Sequence, residues 1–240
     1  VDLAVLALAN KRLEAQLDLV IEQGVKAVVL FGSAFLEGDS TPSLKERLRA
    51  KAQSAGVQIC GASSMGFYNL DQNLFVFSQH ITRNILPGSV SYISQSGSVL
   101  TALLWNNQKL RFNLAISTGQ EISCCVADYM DYALDQPTTR VVALFLEAVR
   151  NPNRFIAALK KANEKDIPVV ALKAGRTEAS AALAVSHSGA IAGDDAAYQA
   201  LFERYGVLQV KSLDELAATA LLMSMPRRVG EGGIASIHDS

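Results

Sequence analysis

The chain has 240 residues, half of them hydrophobic, with 22 basic and 23 acidic side chains and a net charge of −1. This length suits one large or two modest domains, and the balanced charge argues against a nucleic-acid-binding surface. The apolar runs are too short to span a bilayer, and the first residues do not show the pattern of a secretory signal peptide.

The first part of the chain alternates between strand and helix patterns. It predicts strands over residues 2–8, 26–31 and 57–60, and helices over residues 11–22 and 43–55. Over residues 61–87 the alternation breaks into small residues and then aromatic ones, which predicts a domain boundary near Pro87-Gly88.

The rest of the chain repeats the alternation. It predicts strands over residues 89–93, 113–117, 139–146, 167–172 and 207–209, and helices over residues 97–108, 123–134, 152–163, 194–205 and 213–223. The predicted fold class is therefore α/β, with parallel sheets, right-handed crossovers and helices on both faces. Because the chain begins and ends on predicted strands that need partners, we expect a piece of a longer polypeptide that associates with other chains or domains.

Three cysteines occur, two of them adjacent at Cys124 and Cys125. This pattern gives neither a disulfide framework nor a metal-ligand spacing, so no metal site is expected. The thiols are typical of packing residues in a reducing compartment, and we expect a cytoplasmic protein.

One strand-to-helix turn has the residues of a phosphate site. Ser94-Gln95-Ser96-Gly97-Ser98 joins the strand 89–93 to the helix 97–108. Such a turn is how α/β folds present backbone amides to phosphate. It matches neither the Walker pattern nor the Gly-x-Gly-x-x-Gly dinucleotide fingerprint.

A second turn carries a histidine. His187 lies in the small-residue loop 186–193, which precedes the helix 194–205 and leaves room for a ligand to approach backbone N–H groups. Lys173 and Arg176 follow the buried strand 167–172, at the sheet edge where ligands of α/β proteins bind. The pattern indicates a histidine that handles phosphate; the alternative is a capping or packing histidine.

Glu147 ends the strand 139–146 and so lies at the same sheet edge as Lys173. A neutral imidazole is a competent nucleophile toward a phosphoryl group, and a carboxylate on its other nitrogen fixes the tautomer and stabilises the charged product. Glu147 is the candidate carboxylate; the alternative is that it caps the following loop or pairs with Arg150.

Four blocks resemble those of the NDP-forming acyl-CoA synthetases, which include succinyl-CoA synthetase α subunits and ADP-forming acetyl-CoA synthetases. They are Ser94-Gln95-Ser96-Gly97, Leu146-Glu147, residues 172–176 and residues 186–193, in an order and spacing that agree over essentially the whole chain. The resemblance implies an N-terminally incomplete Rossmann-like CoA-binding domain over residues 1–86 and a flavodoxin-like ligase domain over residues 87–226. Residues 227–240 would begin a further flavodoxin-like domain.

The resemblance also implies roles for individual residues. His187 would be the phosphorylated nucleophile and Glu147 its carboxylate. Phosphate would be bound by Ser94, Ser96, Gly97, Ser98, Ser188, Gly189 and Lys173. CoA would be bound by Leu8, Ala9, Asn10, Gly32, Ser33 and Ser63. Within that set the family's Val-Pro-Ala turn reads Leu8-Ala9-Asn10, and the asparagine of its Gly-Pro-Asn-Cys block is Ser63.

The implied reaction interconverts acyl-CoA, phosphate and NDP with carboxylate, CoA and NTP, through an acyl phosphate and then a phosphohistidine at His187. ADP/ATP or GDP/GTP, with Mg²⁺, would bind to an ATP-grasp domain or a β-type subunit, and we expect an oligomer. Two other functions stay open: a CoA- or acyl-CoA-binding regulatory module without turnover, and the sensor part of a fused protein acyltransferase.

Overall fold

Strands and helices alternate along the chain in the computed structural model, which describes residues 1–79, 86–105, 109–175, 195–226 and 230. The elements in these residues are β1 (Leu3–Leu6), α1 (Leu13–Glu22), β2 (Ala27–Leu30), α2 (Leu44–Ala55), β3 (Gln58–Gly61), β4 (Gly66–Asn69), β5 (Leu74–Phe77), β6 (Pro87–Ser94), α3 (Gly97–Leu104), β7 (Phe112–Ser117), α4 (Val126–Leu134), β8 (Val141–Leu146), α5 (Pro152–Glu164), β9 (Val169–Lys173), α6 (Asp195–Arg204), β10 (Leu208–Val210) and α7 (Leu213–Met223). A single 3₁₀ turn, Asn10–Arg12, leads into α1.

The first three strands form a parallel sheet in the order β1-β2-β3. Leucines of α1 and α2, including Leu13, Leu17 and Leu44, pack on one face of this sheet with Val28. The start of α2 is fixed by a capping box. The Ser43 hydroxyl accepts the backbone N–H of Glu46, and the Glu46 carboxylate accepts the backbone N–H of Ser43.

The other seven strands form a second sheet in the order β10-β9-β8-β6-β7-β4-β5. The strands from β6 to β10 run parallel to one another in it. Residues along β8 alternate between two hydrophobic clusters: Val142 and Leu144 pack with α4, α5 and α6, whereas Val141 and Ala143 pack with α3 and α7. Helices therefore cover both faces, and the predicted α/β class is confirmed.

Two strands of this sheet were not predicted from the sequence. β4 and β5 form a hairpin, and β4 also pairs with β7, in both cases antiparallel. This edge adds antiparallel pairing to the predicted parallel sheet, because a hairpin precedes the parallel strands. Both strands come before Pro87 in the chain, yet they pair only with strands of the second sheet; the division at residue 87 stays a prediction.

The two sheets are joined by direct packing and by a loop. Val29 and Cys60 of the first sheet contact Leu114 and Ile116 of β7. The loop after β7 runs beside β3, where the N–H of Gln120 donates to the carbonyl of Ala62 at 2.7 Å. None of the helices in the described residues has both the length and the apolar character needed to cross a membrane.

Candidate functional site

The turn over residues 94–98, called here the serine–glycine turn, is held by its own side chains. Ser94 is buried, and its Oγ donates to the carbonyl of Ser96 at 2.7 Å and accepts the Ser96 N–H at 3.2 Å. Ser96 is the N-cap of α3, and its Oγ accepts the N–H of Val99 at 3.4 Å. The first residues of α3, Gly97 and Ser98, are thus fixed at a helix N-terminus, which attracts anions.

A cavity of about 320 Å³ lies over this turn. Its walls are formed by Ser63, Met65, Gln95, Ser96, Gly97, Ser98, Gly119, Gln120 and Glu147. It brings three of the predicted phosphate-binding residues together with the predicted catalytic carboxylate and with one residue predicted to bind CoA. These predicted residues come from three separate strand ends, those of β3, β6 and β8, and their convergence makes the cavity the candidate site.

Gln95 joins the turn to Glu147. Its Oε1 accepts the backbone N–H groups of Glu147, at 2.6 Å, and of Ala148, at 2.9 Å. Its Nε2 donates to the carbonyl of Ala148 at 2.7 Å and to Oε1 of Glu121 at 2.8 Å. The side chain therefore bridges the carboxyl ends of β6 and β8.

Glu121 is buried beneath the cavity, with 4% of the residue exposed. Its Oε1 also accepts from Thr118 Oγ1 at 3.0 Å and from the Val126 N–H at 3.2 Å, and Arg150 Nε lies 3.5 Å from Oε2. Burial raises the pKa of this carboxyl to about 6, although Gln95 and Arg150 act in the opposite direction.

The residues predicted to bind CoA meet at the carboxyl ends of β1, β2 and β3. Asn10 Nδ2 donates to Ser33 Oγ and to the Phe35 carbonyl, each at 2.9 Å, and its Oδ1 accepts the Ala34 N–H at 3.2 Å. The Ser63 N–H donates to the carbonyl of Gly32 at 2.8 Å.

Leu8 and Ala9 lie beside these residues. A Cβ on Gly32 would come within 3.5 Å of the Leu8 carbonyl, and the Ala9 carbonyl accepts the Arg12 N–H. We refer to Leu8, Ala9, Asn10, Gly32, Ser33 and Ser63 as the Asn10 cluster. Its polar groups are the side chains of Asn10, Ser33 and Ser63 together with backbone N–H and carbonyl groups.

Lys173 lies apart from the cavity walls. It is 3% exposed, and its Nζ lies 4.8 Å from the centre of the Tyr198 ring and donates to the carbonyl of Ala174. His187, Ser188 and Gly189 lie outside the described residues, as does Arg176. Their predicted roles therefore stay predictions.

Sequence reasoning did not select Gln95, Gln120 or Glu121 as site residues. Gln95 lies inside the predicted phosphate turn, and Gly119-Gln120-Glu121 follows β7 after one intervening residue, at the same sheet edge. Position at a strand's carboxyl end is the signal that could have indicated all three. No local pattern reveals their distant contacts, such as that of Gln95 with Glu121, 26 positions away, and that of Gln120 with Ser33, 87 positions away.

A family model described as the succinyl-CoA ligase-like flavodoxin domain matches residues 87–223, which confirms the flavodoxin-like fold predicted for that part. The α subunit of acetate–CoA ligase (ADP-forming) II from Pyrococcus furiosus is 32% identical over 229 residues, covering 94% of this chain and 49% of that protein. Acetate–CoA ligase (ADP-forming) from Methanocaldococcus jannaschii is 31% identical over 244 residues, covering 100% of this chain and 34% of that protein.

Solved structures show a similar fold. The dinucleotide-forming acetyl-coenzyme A synthetase 1 of Ca. Korarchaeum cryptofilum, in complex with phosphate and ADP, superposes with a TM-score of 0.87 at 28% identity. That superposition covers 97% of this chain and 50% of the other. The chain thus spans between about a third and about half of the length of these relatives.

Proposed function

The chain belongs to the family of the succinyl-CoA ligase-like flavodoxin domain, and we propose that it is a component of an NDP-forming acyl-CoA synthetase. The proposed reaction converts acyl-CoA, phosphate and NDP into a carboxylate, CoA and NTP, and runs in both directions. The observation that carries the proposal is the cavity in which the serine–glycine turn, Glu147 and Ser63 converge.

The cavity suits a phosphoryl group. Backbone N–H groups at the start of α3 and the hydroxyls of Ser96 and Ser98 are donors that an ordered turn holds in place. Phosphoryl transfer depends chiefly on such preorganised positioning and electrostatic stabilisation. Glu147 in the same wall would accept a hydrogen bond from the imidazole of His187, which orients the ring and stabilises its positive charge.

The proposed chemistry has three transfers. A phosphate oxygen attacks the thioester carbonyl, the C–S bond breaks, and CoA leaves as the thiol with an acyl phosphate remaining. A ring nitrogen of His187 then attacks phosphorus, and the carboxylate leaves. The phosphoryl group finally passes from His187 to the terminal phosphate of NDP, and the free imidazole returns.

CoA would be bound by the Asn10 cluster, with Ser63 shared between the cluster and the cavity. Residues 1–86 and 87–226 would act as the CoA-binding and ligase domains, and residues 227–240 would lead into a further domain. The nucleotide and Mg²⁺ would bind to an ATP-grasp domain or a β-type subunit. Support comes from the relatives named as α subunits and from the neighbour solved with phosphate and ADP. Since all of these substrates are metabolites of the cell interior, we place the reaction in the cytoplasm.

The deciding experiment is phosphohistidine formation. The full-length protein, with its nucleotide-binding domain or subunit, is incubated with ATP labelled at the γ-phosphate. We expect an acid-labile, base-stable label on the wild type and on a His238→Asn control, and none on His187→Asn. An intact complex that binds CoA but never acquires label would contradict the proposal and favour a regulatory or sensor module.

A further inference from the structure

Each end of the Gln95 side-chain amide has two hydrogen-bond partners. Two backbone N–H groups, from Glu147 and Ala148, point at one end of the amide, so that end is the oxygen. Two acceptors, the Ala148 carbonyl and the Glu121 carboxylate, face the other end, so that end is the nitrogen. Only one orientation satisfies all four contacts, and Gln95 is 6% exposed, so water does not substitute for them.

The carboxylate of Glu121 is itself fixed. Its Oε1 accepts from the hydroxyl of Thr118 and from the Val126 N–H at the start of α4, in addition to Gln95. A hydrogen bond to a charged acceptor is stronger than one between neutral groups, so Glu121 favours the orientation that directs Gln95 Oε1 toward Glu147.

We propose that Gln95 is a positioning residue for the reaction at this cavity: it fixes the main chain at Glu147 against the serine–glycine turn, and Glu121 fixes the Gln95 amide. This inference rests on the proposed function. The main chain of Gln95 is part of the turn, while its side chain binds the N–H of Glu147. One residue thus holds the proposed phosphate-binding donors at a fixed distance from the main chain that carries the Glu147 carboxylate.

The geometry gives Gln95 a specific effect on catalysis. Misplacement of a reacting group by about 1 Å can lower a rate on the order of 10²-fold, whereas binding of remote substrate parts is less affected. We therefore expect Gln95→Met, which has a similar shape without hydrogen-bonding atoms, to lower kcat about 10-fold to 100-fold and to change each KM less than about threefold. The assay uses acetyl-CoA, inorganic phosphate and ADP with the full-length protein and its nucleotide-binding module.

A double-mutant cycle tests whether the effect passes through Glu147. If Gln95 acts by positioning Glu147, then Gln95→Met has no further effect on kcat in a Glu147→Gln background. The matched control is Asn113→Leu. Asn113 is 0% exposed, and its amide donates to Thr138 and Thr139 and accepts from Ser91, at the opposite end of the same sheet. Asn113→Leu should lower stability and leave kcat within about twofold of the wild type. In combination with Glu147→Gln, the fold-changes in kcat of the two substitutions should simply multiply.

Two further measurements do not rely on turnover by Gln95→Met. Hydrogen exchange at the backbone amides of Glu147 and Ala148 should accelerate in Gln95→Met more than at the other buried amides of the same variant, and it should not do so selectively in Asn113→Leu. In Gln95→Glu, one oxygen still accepts the two N–H groups while the other faces Glu121 and the Ala148 carbonyl. A proton shared between the two carboxyls relieves that repulsion, so the activity of this variant relative to wild type should rise as the pH falls from 8 to 6.

The outcomes separate the two proposals. A wild type that does not convert the three substrates overturns the proposed function, and the role of Gln95 with it. The positioning role alone is overturned if the wild type is active and Gln95→Met has an unchanged kcat. It is also overturned if the fold-changes in kcat caused by the Gln95 and Glu147 substitutions simply multiply. Unchanged exchange at the two amides would also overturn it.

Discussion

Gln120 Nε2 donates to the carbonyl oxygen of Ser33 at 3.2 Å, so the loop after β7 contacts the Asn10 cluster directly. The same nitrogen lies 3.3 Å from Ser63 Oγ, which it also contacts by a hydrogen bond, and both Gln120 and Ser63 line the cavity. The Asn10 cluster and the serine–glycine turn, for which we propose CoA and phosphate binding, therefore both contribute to the cavity wall. If the Asn10 cluster binds CoA as proposed, its thioester would have a short path to the start of α3.

The Asn10 cluster can be tested through Gly32. A Cβ there would lie 2.8 Å from Asn10 Oδ1, so Gly32→Ala should displace Asn10 and break its hydrogen bond from the Ala34 N–H. We expect the Kd for CoA, measured by calorimetry, to rise about tenfold, which corresponds to about 1.4 kcal/mol. The KM for phosphate should not change.

The control for this experiment is Gly38→Ala. Gly38 has a φ of +66°, and a Cβ there meets nothing within 4 Å. Gly38→Ala introduces backbone strain at this positive φ but makes no contact with Asn10. Its affinity for CoA should therefore remain that of the wild type. Equal losses in the two variants would show that the effect on CoA is a general consequence of lower stability.

Gly119 is predicted to be indispensable for the contact between the sheets. Its φ is +59°, and a Cβ there would overlap the backbone carbonyl oxygen of Ala62. Gly56 has a similar φ of +65° with open space around it. We expect Gly119→Ala to lower the free energy of unfolding by about 2 kcal/mol more than Gly56→Ala, measured by urea denaturation. Equal losses would mean that strain in φ is the whole effect.

Added negative charge at the start of α3 should oppose phosphate. Ser98 is exposed in the cavity wall, with its Oγ 3.1 Å from Ser96 Oγ. Ser98→Asp should raise the KM for phosphate about tenfold at low ionic strength, because a carboxylate and a phosphate dianion repel each other. The increase in KM should be smaller at high salt, which screens the repulsion. The neutral isostere Ser98→Asn should change it far less. A salt-independent loss shared by both variants would point to a steric cause.

The Glu121 carboxyl should make stability depend on pH. Burial raises its pKa from 4.5 to about 6 in the folded state, so between these values the folded protein binds more protons than the unfolded one. Its contribution to the free energy of unfolding therefore falls as the pH rises from about 4.5 to 6 and is constant above. Between pH 7 and pH 4.5 the wild type should gain on the order of 2 kcal/mol relative to Glu121→Gln.

Denaturant unfolding of both proteins at several pH values measures this difference. Other groups that titrate in this range are present in both proteins, so their contributions cancel. Parallel curves for the two proteins would contradict a raised pKa at Glu121. A difference of opposite sign would mean that Arg150, 3.5 Å from Oε2, outweighs the effect of burial.

Local patterns predicted most elements because the buried strands and amphipathic helices are continuous. α7 begins and ends at the predicted residues 213 and 223. The helix predicted from residue 123 begins instead at Val126. Ser123 Oγ accepts the N–H of Ile59 and so does not cap the helix, and Cys125 is the N-cap. The hairpin β4–β5 was missed because its four-residue strands, Gly66–Asn69 and Leu74–Phe77, are short and gain their stability from β7.

The site was predictable in part. Ser96, Gly97 and Ser98 could be selected because a strand, a Ser/Gly turn and a helix follow one another in the chain, and Glu147 because it ends a buried strand. Gln95 and Glu121 share this position near strand ends, but the sequence does not predict their burial, because a glutamine or glutamate in a loop is usually solvated. A polar residue's burial is a property of the tertiary structure.

The pairing of β4 with β7 also bears on how such a chain can be rearranged. An exchange of gene segments with its junction at Pro87 would replace β4 and β5 together with the N-terminal segment. The backbone N–H and carbonyl groups along one side of β7 would then lack their partner strand. An unprotected strand of that kind invites intermolecular pairing and aggregation. A junction ahead of the hairpin would keep β4 and β5 with β7, so it is expected to be tolerated better than one at Pro87.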